Sequence, residues 1–275
     1  VPELPEVETV RQGLRPALEG QVITDVIVRR RDLRTPVPDD FEERVRGQKV
    51  LGLDRRSKYV LVQLESGETI IIHLGMSGRI RIEEGNPPEP DKHDHIEFMT
   101  SSRKCIRFGD PRRFGFVDLI EEGGVDLYPS IVKLGPEPLS DTFTSAVLLQ
   151  ALKGKTTTMK AALMDQRIIA GLGNIYVNEA LYRAGISPER KAGNLTKTKA
   201  ALLVEVIKQV LREAIAAGGS SLKDHRQTDG ELGYFQHSFK VYGREGETCG
   251  QCEKTEIKRI VQQGRSTFYC SRCQQ

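Results

Sequence analysis

The chain has 275 residues, enough for two domains and a sizeable core, and 38% hydrophobic with 29% charged residues describes a globular protein with a polar surface. No apolar run approaches the roughly 18–20 residues of a membrane span, and the N-terminus lacks the basic and apolar regions of a signal peptide, so no membrane partner and a cytoplasmic location are expected. The net charge of +3 calls for no nucleic-acid partner by itself; Arg29-Arg30-Arg31, Arg55-Arg56, Arg112-Arg113 and Lys258-Arg259 are clusters from which phosphate contacts could converge, although each alone reads first as a solvated face.

The first six residues, Val-Pro-Glu-Leu-Pro-Glu, crowd two prolines and two carboxylates together, and an apolar stripe follows at Val7, Val10, Leu14 and Leu18. That spacing predicts a helix starting near Pro5, whose fixed φ suits a first turn, with Glu3 and Glu6 at its positive end. A backbone amine titrates near 7.7–8.0 against about 10.4 for lysine, so it can attack an aldehyde-like carbon while nearby carboxylates shuttle protons. The plainer reading is a capped helix.

Residues 21–120 read as β-structure, with runs at 22–28, 59–64, 69–74, 79–82, 95–99 and 105–108 broken by Gly, Pro, Asn and Asp, a pattern that predicts a sandwich or barrel-like sheet pair. Lys58 stands at a strand entrance, where it reads as an edge charge. The glycine-flanked turn His73-Leu74-Gly75-Met76-Ser77-Gly78 pushes Met76 outward, and His93 lies in a polar loop. Arg112 and Phe114 alternate, which in an extended segment puts both on one face.

Two prolines and a glycine in Leu134 to Ser140 mark a domain boundary, beyond which the pattern becomes helical. The clearest helix is 197–217, with Leu203, Ile207, Val210 and Ala214 on one face and Gly218-Gly219 as its stop. Gly171-Leu172-Gly173-Asn174 precedes another helix, 175–182; its glycines let backbone amides approach an anion, and Asn174 is expected to cap the helix. Residues 218–237 read as a polar, glycine-rich linker. Cys249-x2-Cys252 and Cys270-x2-Cys273, seventeen residues apart, fit one closed structural zinc site on two knuckles of a hairpin, while Cys105 sits in an apolar strand as a core residue. Arg265 falls at the hairpin tip or its return.

Pro2-Glu3-Leu4-Pro5-Glu6, Asp110-Pro111-Arg112-Arg113-Phe114-Gly115, Leu134-Gly135-Pro136-Glu137-Pro138-Leu139, Gly171-Leu172-Gly173-Asn174-Ile175-Tyr176 and the four cysteines, in this order, closely resemble the bacterial formamidopyrimidine-DNA glycosylases from residue 2 to residue 275. The resemblance implies an α+β multidomain fold: an N-terminal catalytic β-sandwich with its opening helix over 1–134, a helix-two-turn-helix domain over 135–237, and a zinc-finger β-hairpin over 238–275. It implies base-excision repair of damaged double-stranded DNA by a monomer, with oxidised purines removed and the strand then cut at the abasic site. DNA would lie in a cleft between the β-rich and the helical-plus-zinc parts.

Carried over residue by residue, Pro2 is the nucleophile, Glu3 the proton donor, Glu6 a support for the terminus and Lys58 a catalytic cation. Met76, Arg112 and Phe114 fill the hole left by a flipped nucleotide, and His93 contacts DNA. Asn174, assisted by Lys160, grips phosphates, Arg265 is the finger's DNA contact, and the 218–237 loop closes over the extruded base. The sister endonuclease VIII type opens with Pro-Glu-Gly-Pro-Glu, so Leu4 favours purine lesions over oxidised pyrimidines. Val1 departs from the pattern, since a proline acylated by it has no nucleophilic lone pair. The expectation is a GUG start read literally, with the native protein beginning at Pro2; a retained Val1 would leave a non-catalytic damage-binding protein.

Overall fold

The computed structural model describes residues 2–221 and 227–275, so Val1 and part of the glycine-rich loop lie outside the described residues. The chain divides into two compact units, the first running to Val132 and taking in Ala217–Tyr234, the second comprising Lys133–Ala216 and Phe235–Gln275.

In the first unit, helix α1 (Leu4–Leu18) begins where Pro5 suits the first turn, after Glu3 in extended conformation. Leu4, Val7, Val10, Leu14, Ala17 and Leu18 are buried, so the stripe read from the sequence is the face that meets the sheets. After β1 (Ile23–Val28) and the short α2 (Phe41–Val45) come β2 (Val50–Arg56), β3 (Tyr59–Leu64), β4 (Thr69–His73), β5 (Arg79–Glu84), β6 (Asp94–Thr100), β7 (Lys104–Gly109) and β8 (Phe116–Ile120). They form two antiparallel four-stranded sheets, ordered β2-β3-β4-β8 and β1-β6-β7-β5. Val60, Val62, Ile70 and Ile72 of one sheet share a core with Ile80, Ile96, Phe98, Ile106 and Phe108 of the other and with α1. Cys105 is buried, as its apolar strand predicts.

Three elements escaped the pattern reading. β2 interrupts its apolar residues with Gly52 and ends on Asp54-Arg55-Arg56, β8 is only five residues long, and α2 buries only Phe41 and Val45. Glycine and charges break the apolar pattern of β2, and α2 is too short to show a helical period.

The second unit holds α3 (Ser145–Leu152), α4 (Met159–Met164), α5 (Asn174–Arg183), α6 (Lys197–Ala216) and the antiparallel hairpin of β9 (Lys258–Gln262) and β10 (Arg265–Tyr269). Leu203, Ile207, Val210 and Ala214 of α6 are fully buried. Gly218 and Gly219 follow its end with φ of +75° and +79°, conformations that favour glycine and stop a helix. The hairpin turns on Gln263 and Gly264, both at positive φ, so Arg265 is the first residue of the returning strand.

The 218–237 stretch, assigned from sequence to the helical domain, behaves differently in its described part. Its N-terminal root is bonded to α1, Ser220 donating its N–H to Glu6 Oε1 at 2.7 Å, and the Thr228 carbonyl accepts from the Ile82 N–H of β5 at 3.0 Å. Those bonds, which no local pattern announces, group Ala217–Tyr234 with the β-sandwich unit.

Candidate catalytic terminus and nucleic-acid interface

Pro2, Glu3 and Glu6 are all buried in the first unit. The Glu3 N–H donates to Glu6 Oε2 at 2.8 Å within a capping box, while the other Glu6 oxygen takes the Ser220 N–H. One carboxylate thus ties the residue beside Pro2 to the root of the glycine-rich loop. Gly219 adopts φ +79°, which favours glycine, and a Cβ there would press within 3.1 Å of Glu6 Cγ and Oε1.

Lys58 sits in the turn between β2 and β3, following Ser57, which adopts φ +55° and is buried. A clamp from α1 holds this turn: Glu8 accepts from Arg11 and from Arg55 Nε at 3.0 Å, and Arg55 Nη1 donates to the Ser57 carbonyl at 2.8 Å. Burial alone would raise the Glu8 pKa, but the Arg11 hydrogen bonds and the Arg11 and Arg55 charges outweigh it and hold the carboxyl below its usual range. Arg55 is therefore a tied, largely buried cation, which corrects its reading as part of a solvated basic face. His73 accepts the Gly75 N–H at Nδ1 and stacks on Phe116; burial, with the Arg34 and Lys58 charges, lowers its pKa to about 4.

Met76, Arg112 and Phe114 come together on two touching turns. Met76 and Phe114 are exposed, and the Arg112 guanidinium lies 4.8 Å over the Phe114 ring. The expected extended segment is instead a turn with Arg113 at φ +57°; the two side chains meet because that left-handed residue folds the backbone, not by alternation. Beneath them lies Asp110, fully buried, accepting from Ser77 Oγ at 2.5 Å and from the Gly115 N–H at 2.8 Å. His93 precedes β6, and its carbonyl accepts the Asp110 N–H. In the sequence Asp110 and Ser77 stood out only as members of the stretches that carry Arg112 and Met76, with no role of their own.

In the second unit Asn174, Lys160 and the residue after Arg265 converge. Asn174 does not cap α5: it is the first helical residue, the N-cap is Gly173, and its Nδ2 donates to the Ser266 carbonyl at 3.0 Å. Glycine accepts the extended N-cap conformation, which moves the asparagine into the helix and frees its amide to reach the hairpin. Lys160 is buried, and it donates to the same Ser266 carbonyl at 3.0 Å and to Thr267 Oγ1 at 2.5 Å. Burial, with the charge of Arg265, lowers its pKa to about 8. Arg265 itself is exposed. Gln166 was missed from sequence, yet it shapes the preceding loop by donating to the Leu172 carbonyl and accepting the Gly171 N–H.

The four cysteine Sγ atoms lie within 4.8 Å of one another, with Cys249–Cys273 and Cys252–Cys270 each 3.8 Å apart. Four thiolates about 2.3 Å from a tetrahedral zinc have S–S edges near 3.8 Å, so the residues fit one structural Zn2+ with no ligand position left over. Tyr182 Oη lies 3.2 Å from Cys249 Sγ, the Cys273 N–H donates to Cys270 Sγ, and Thr255 Oγ1 lies 3.0 Å from Cys270 Sγ, contacts that offset thiolate charge. Glu179, also missed from sequence, is fully buried on α5 and accepts the N–H groups of Lys240, Val241 and Tyr242 at 2.9–3.0 Å, joining helix and zinc module.

Among known proteins, the formamidopyrimidine-DNA glycosylase N-terminal domain matches residues 1–117, the H2TH domain of the same enzymes residues 134–226, and the zinc finger found in FPG and IleRS residues 246–275. The formamidopyrimidine-DNA glycosylase of Ruegeria pomeroyi is 56% identical over the whole of both chains. The MutM (Fpg) structure from Thermus thermophilus is 41% identical with a TM-score of 0.88, covering 99% of this chain and 98% of that one. A Lactococcus lactis FPG mutant bound to Fapy-dG DNA is 34% identical with a TM-score of 0.92, and the wild-type protein bound to an oxidized pyrimidine in DNA is 35% identical with a TM-score of 0.90, each covering all of both chains.

Proposed function

The chain belongs to the formamidopyrimidine-DNA glycosylase family, and from that membership we propose that it excises oxidised purines, 8-oxoguanine and formamidopyrimidines, from duplex DNA and then cuts the strand by β,δ-elimination. The observation that carries the mechanism is the buried pair Glu3 and Glu6 beside Pro2, with Glu6 bonded to both the Glu3 N–H and Ser220.

The Pro2 amine, once free of acylation, attacks the anomeric carbon of the damaged nucleotide, and the bond to the base breaks with its electron pair leaving on the base, which takes up the proton that the amine gives up. Glu3 delivers a proton to the sugar ring oxygen as the ring opens, leaving an iminium between Pro2 and the sugar. The iminium draws electrons from the adjacent carbon, whose proton is lost as the 3′ phosphate departs; a second elimination expels the 5′ phosphate and leaves a one-nucleotide gap. Lys58 balances charge at the reacting sugar, and Glu6 keeps the terminus in register. Met76, Arg112 and Phe114 fill the vacated stack, His93 contacts the duplex, and Arg265 holds phosphates with Asn174 and its α5 turn. Lys160, inside the hairpin base, supports Arg265 from behind. The protein acts as a monomer in the cytoplasm, with zinc shaping the finger.

Borohydride trapping on an 8-oxoguanine duplex tests this, comparing protein that retains Val1 with protein processed to begin at Pro2. Trapping by the processed form alone is expected. Binding by both with trapping by neither would leave damage recognition without catalysis as the function. A second substrate class belongs in the same assay, because the related Lactococcus lactis protein was crystallised on an oxidized pyrimidine; faster turnover of 5-hydroxyuracil than of 8-oxoguanine would overturn the purine preference read from Leu4.

A further inference from the structure

Met76, Arg112 and Phe114 reach outward from two turns separated by more than thirty residues of sequence, and a wedge made of two pieces is useful only if the pieces cannot move apart. Unstacking a base step is costly, and a turn that yields would absorb that load instead of transmitting it. Asp110 joins the pieces. Its Oδ1 takes the Ser77 hydroxyl at 2.5 Å from the Met76 turn, while its Oδ2 takes the Gly115 N–H at 2.8 Å from the Arg112–Phe114 turn. The Arg112 N–H points at Ser77 Oγ at 3.2 Å and at Asp110 Oδ1 at 3.3 Å.

The two turns also meet backbone to backbone: a Cβ on Gly75, at φ +60°, would fall 2.3 Å from the Phe114 carbonyl carbon. Asp110 is in turn held by its main chain, the carbonyl 2.8 Å from His95 Nε2 and the N–H donating to the His93 carbonyl. A carboxylate suits this place because both its oxygens only accept, so each can serve a different segment. We propose that Asp110 is a positioning residue for base extrusion, locking the two turns into one rigid wedge while touching no nucleotide itself; this rests on the void-filling reading of Met76, Arg112 and Phe114.

The test follows extrusion by stopped-flow fluorescence of 2-aminopurine placed beside 8-oxoguanine, with cleavage of a preformed abasic site, which has no base to extrude, measured in parallel. Asp110→Ala is expected to lose about tenfold more on the 8-oxoguanine duplex than on the abasic one, the equivalent of roughly one net hydrogen bond. Asp110→Asn, which keeps one oxygen for Gly115 and can donate to Ser77 Oγ, should recover part of that difference. Ser77→Ala removes one arm only and should show the same selective loss with melting within a degree or so of the parent, which separates positioning from misfolding. Equal losses on both duplexes, or no loss on either, overturn the proposal. Met76→Ala, Arg112→Ala and Phe114→Ala run alongside: if they leave extrusion unchanged the void-filling reading fails, and if they slow it while Ser77→Ala and Asp110→Asn do not, only the role of Asp110 fails.

Discussion

Glu6→Gln should damage both the stability and the chemistry of the terminus, and the size of the damage follows from two hydrogen bonds. The carboxylate is 1% exposed, and its two oxygens accept the N–H groups of Glu3 at 2.8 Å and Ser220 at 2.7 Å. Glutamine offers a single oxygen, so one buried N–H would face an NH2 group, a donor against a donor. Losing one charge-assisted bond and stranding its donor amounts to about 2–4 kcal/mol, and Glu6→Ala, which strands both, to about 3–5 kcal/mol. Differential scanning calorimetry of the Pro2-initiated protein should show the melting temperature fall in the order parent, Gln, Ala. Borohydride trapping on a preformed abasic duplex should slow by roughly tenfold or more for Glu6→Gln, since the loop root and the residue beside Pro2 lose their common anchor. A Glu6→Gln protein that melts and traps like the parent would refute the idea that this carboxylate holds the terminus.

His73 has a folded pKa of about 4 against 6.5 when unperturbed, so its contribution is fully present above pH 6.5 and lost as pH falls toward 4. The full shift corresponds to about 3 kcal/mol, and His73→Gln should flatten the pH dependence of melting across that window. Glu8 and Arg55, whose side chains are only 13% and 10% exposed, should show a coupling of about 1–3 kcal/mol in a Glu8→Gln/Arg55→Gln double-mutant cycle of urea unfolding; additive effects would remove the clamp on the Lys58 turn. Chelation of zinc, or Cys252→Ser, should abolish binding to lesion duplex together with the near-ultraviolet signal of the Tyr242–Phe268 pair while the β-sandwich far-ultraviolet signal persists.

What the sequence made legible was whatever repeats or stands at a fixed offset. Val7, Val10, Leu14 and Leu18 declared α1, Leu203, Ile207, Val210 and Ala214 declared α6, and the cysteine spacing declared the zinc site, because each is a periodicity or a short-range constraint. The resemblance supplied Pro2, Glu3, Lys58 and Arg265 as candidates. Contacts between segments far apart in sequence left no such trace. Asn174 looked like a helix cap because its partner, the Ser266 carbonyl, is 92 positions away. Lys160 was carried over by resemblance as an aid to Asn174 at phosphates, and nothing near it in sequence shows that its ammonium is buried against Ser266 and Thr267. Arg112 and Phe114 met for a reason other than alternation, since a left-handed Arg113 is not visible in a string of letters.

The bonds that sequence reading missed share a chemistry. Glu6 collects the N–H groups of Glu3 and Ser220, Asp110 collects Ser77 and Gly115, and Glu179 collects Lys240, Val241 and Tyr242; all three carboxylates are 0–1% exposed. An isolated buried carboxylate is strongly disfavoured, so each persists only because several donors converge on it, and the donors come from segments that must keep a fixed relation. A hydrophobic contact would hold those segments together but would tolerate sliding, whereas two directed bonds to one rigid planar group fix both distance and orientation. In each case a donor segment borders candidate functional residues: the Pro2 terminus, the Met76 and Phe114 turns, and the chain leading into the zinc knuckle. Exchanging any one of these three acids is therefore expected to loosen the segments it joins, an effect that reaches beyond its own position.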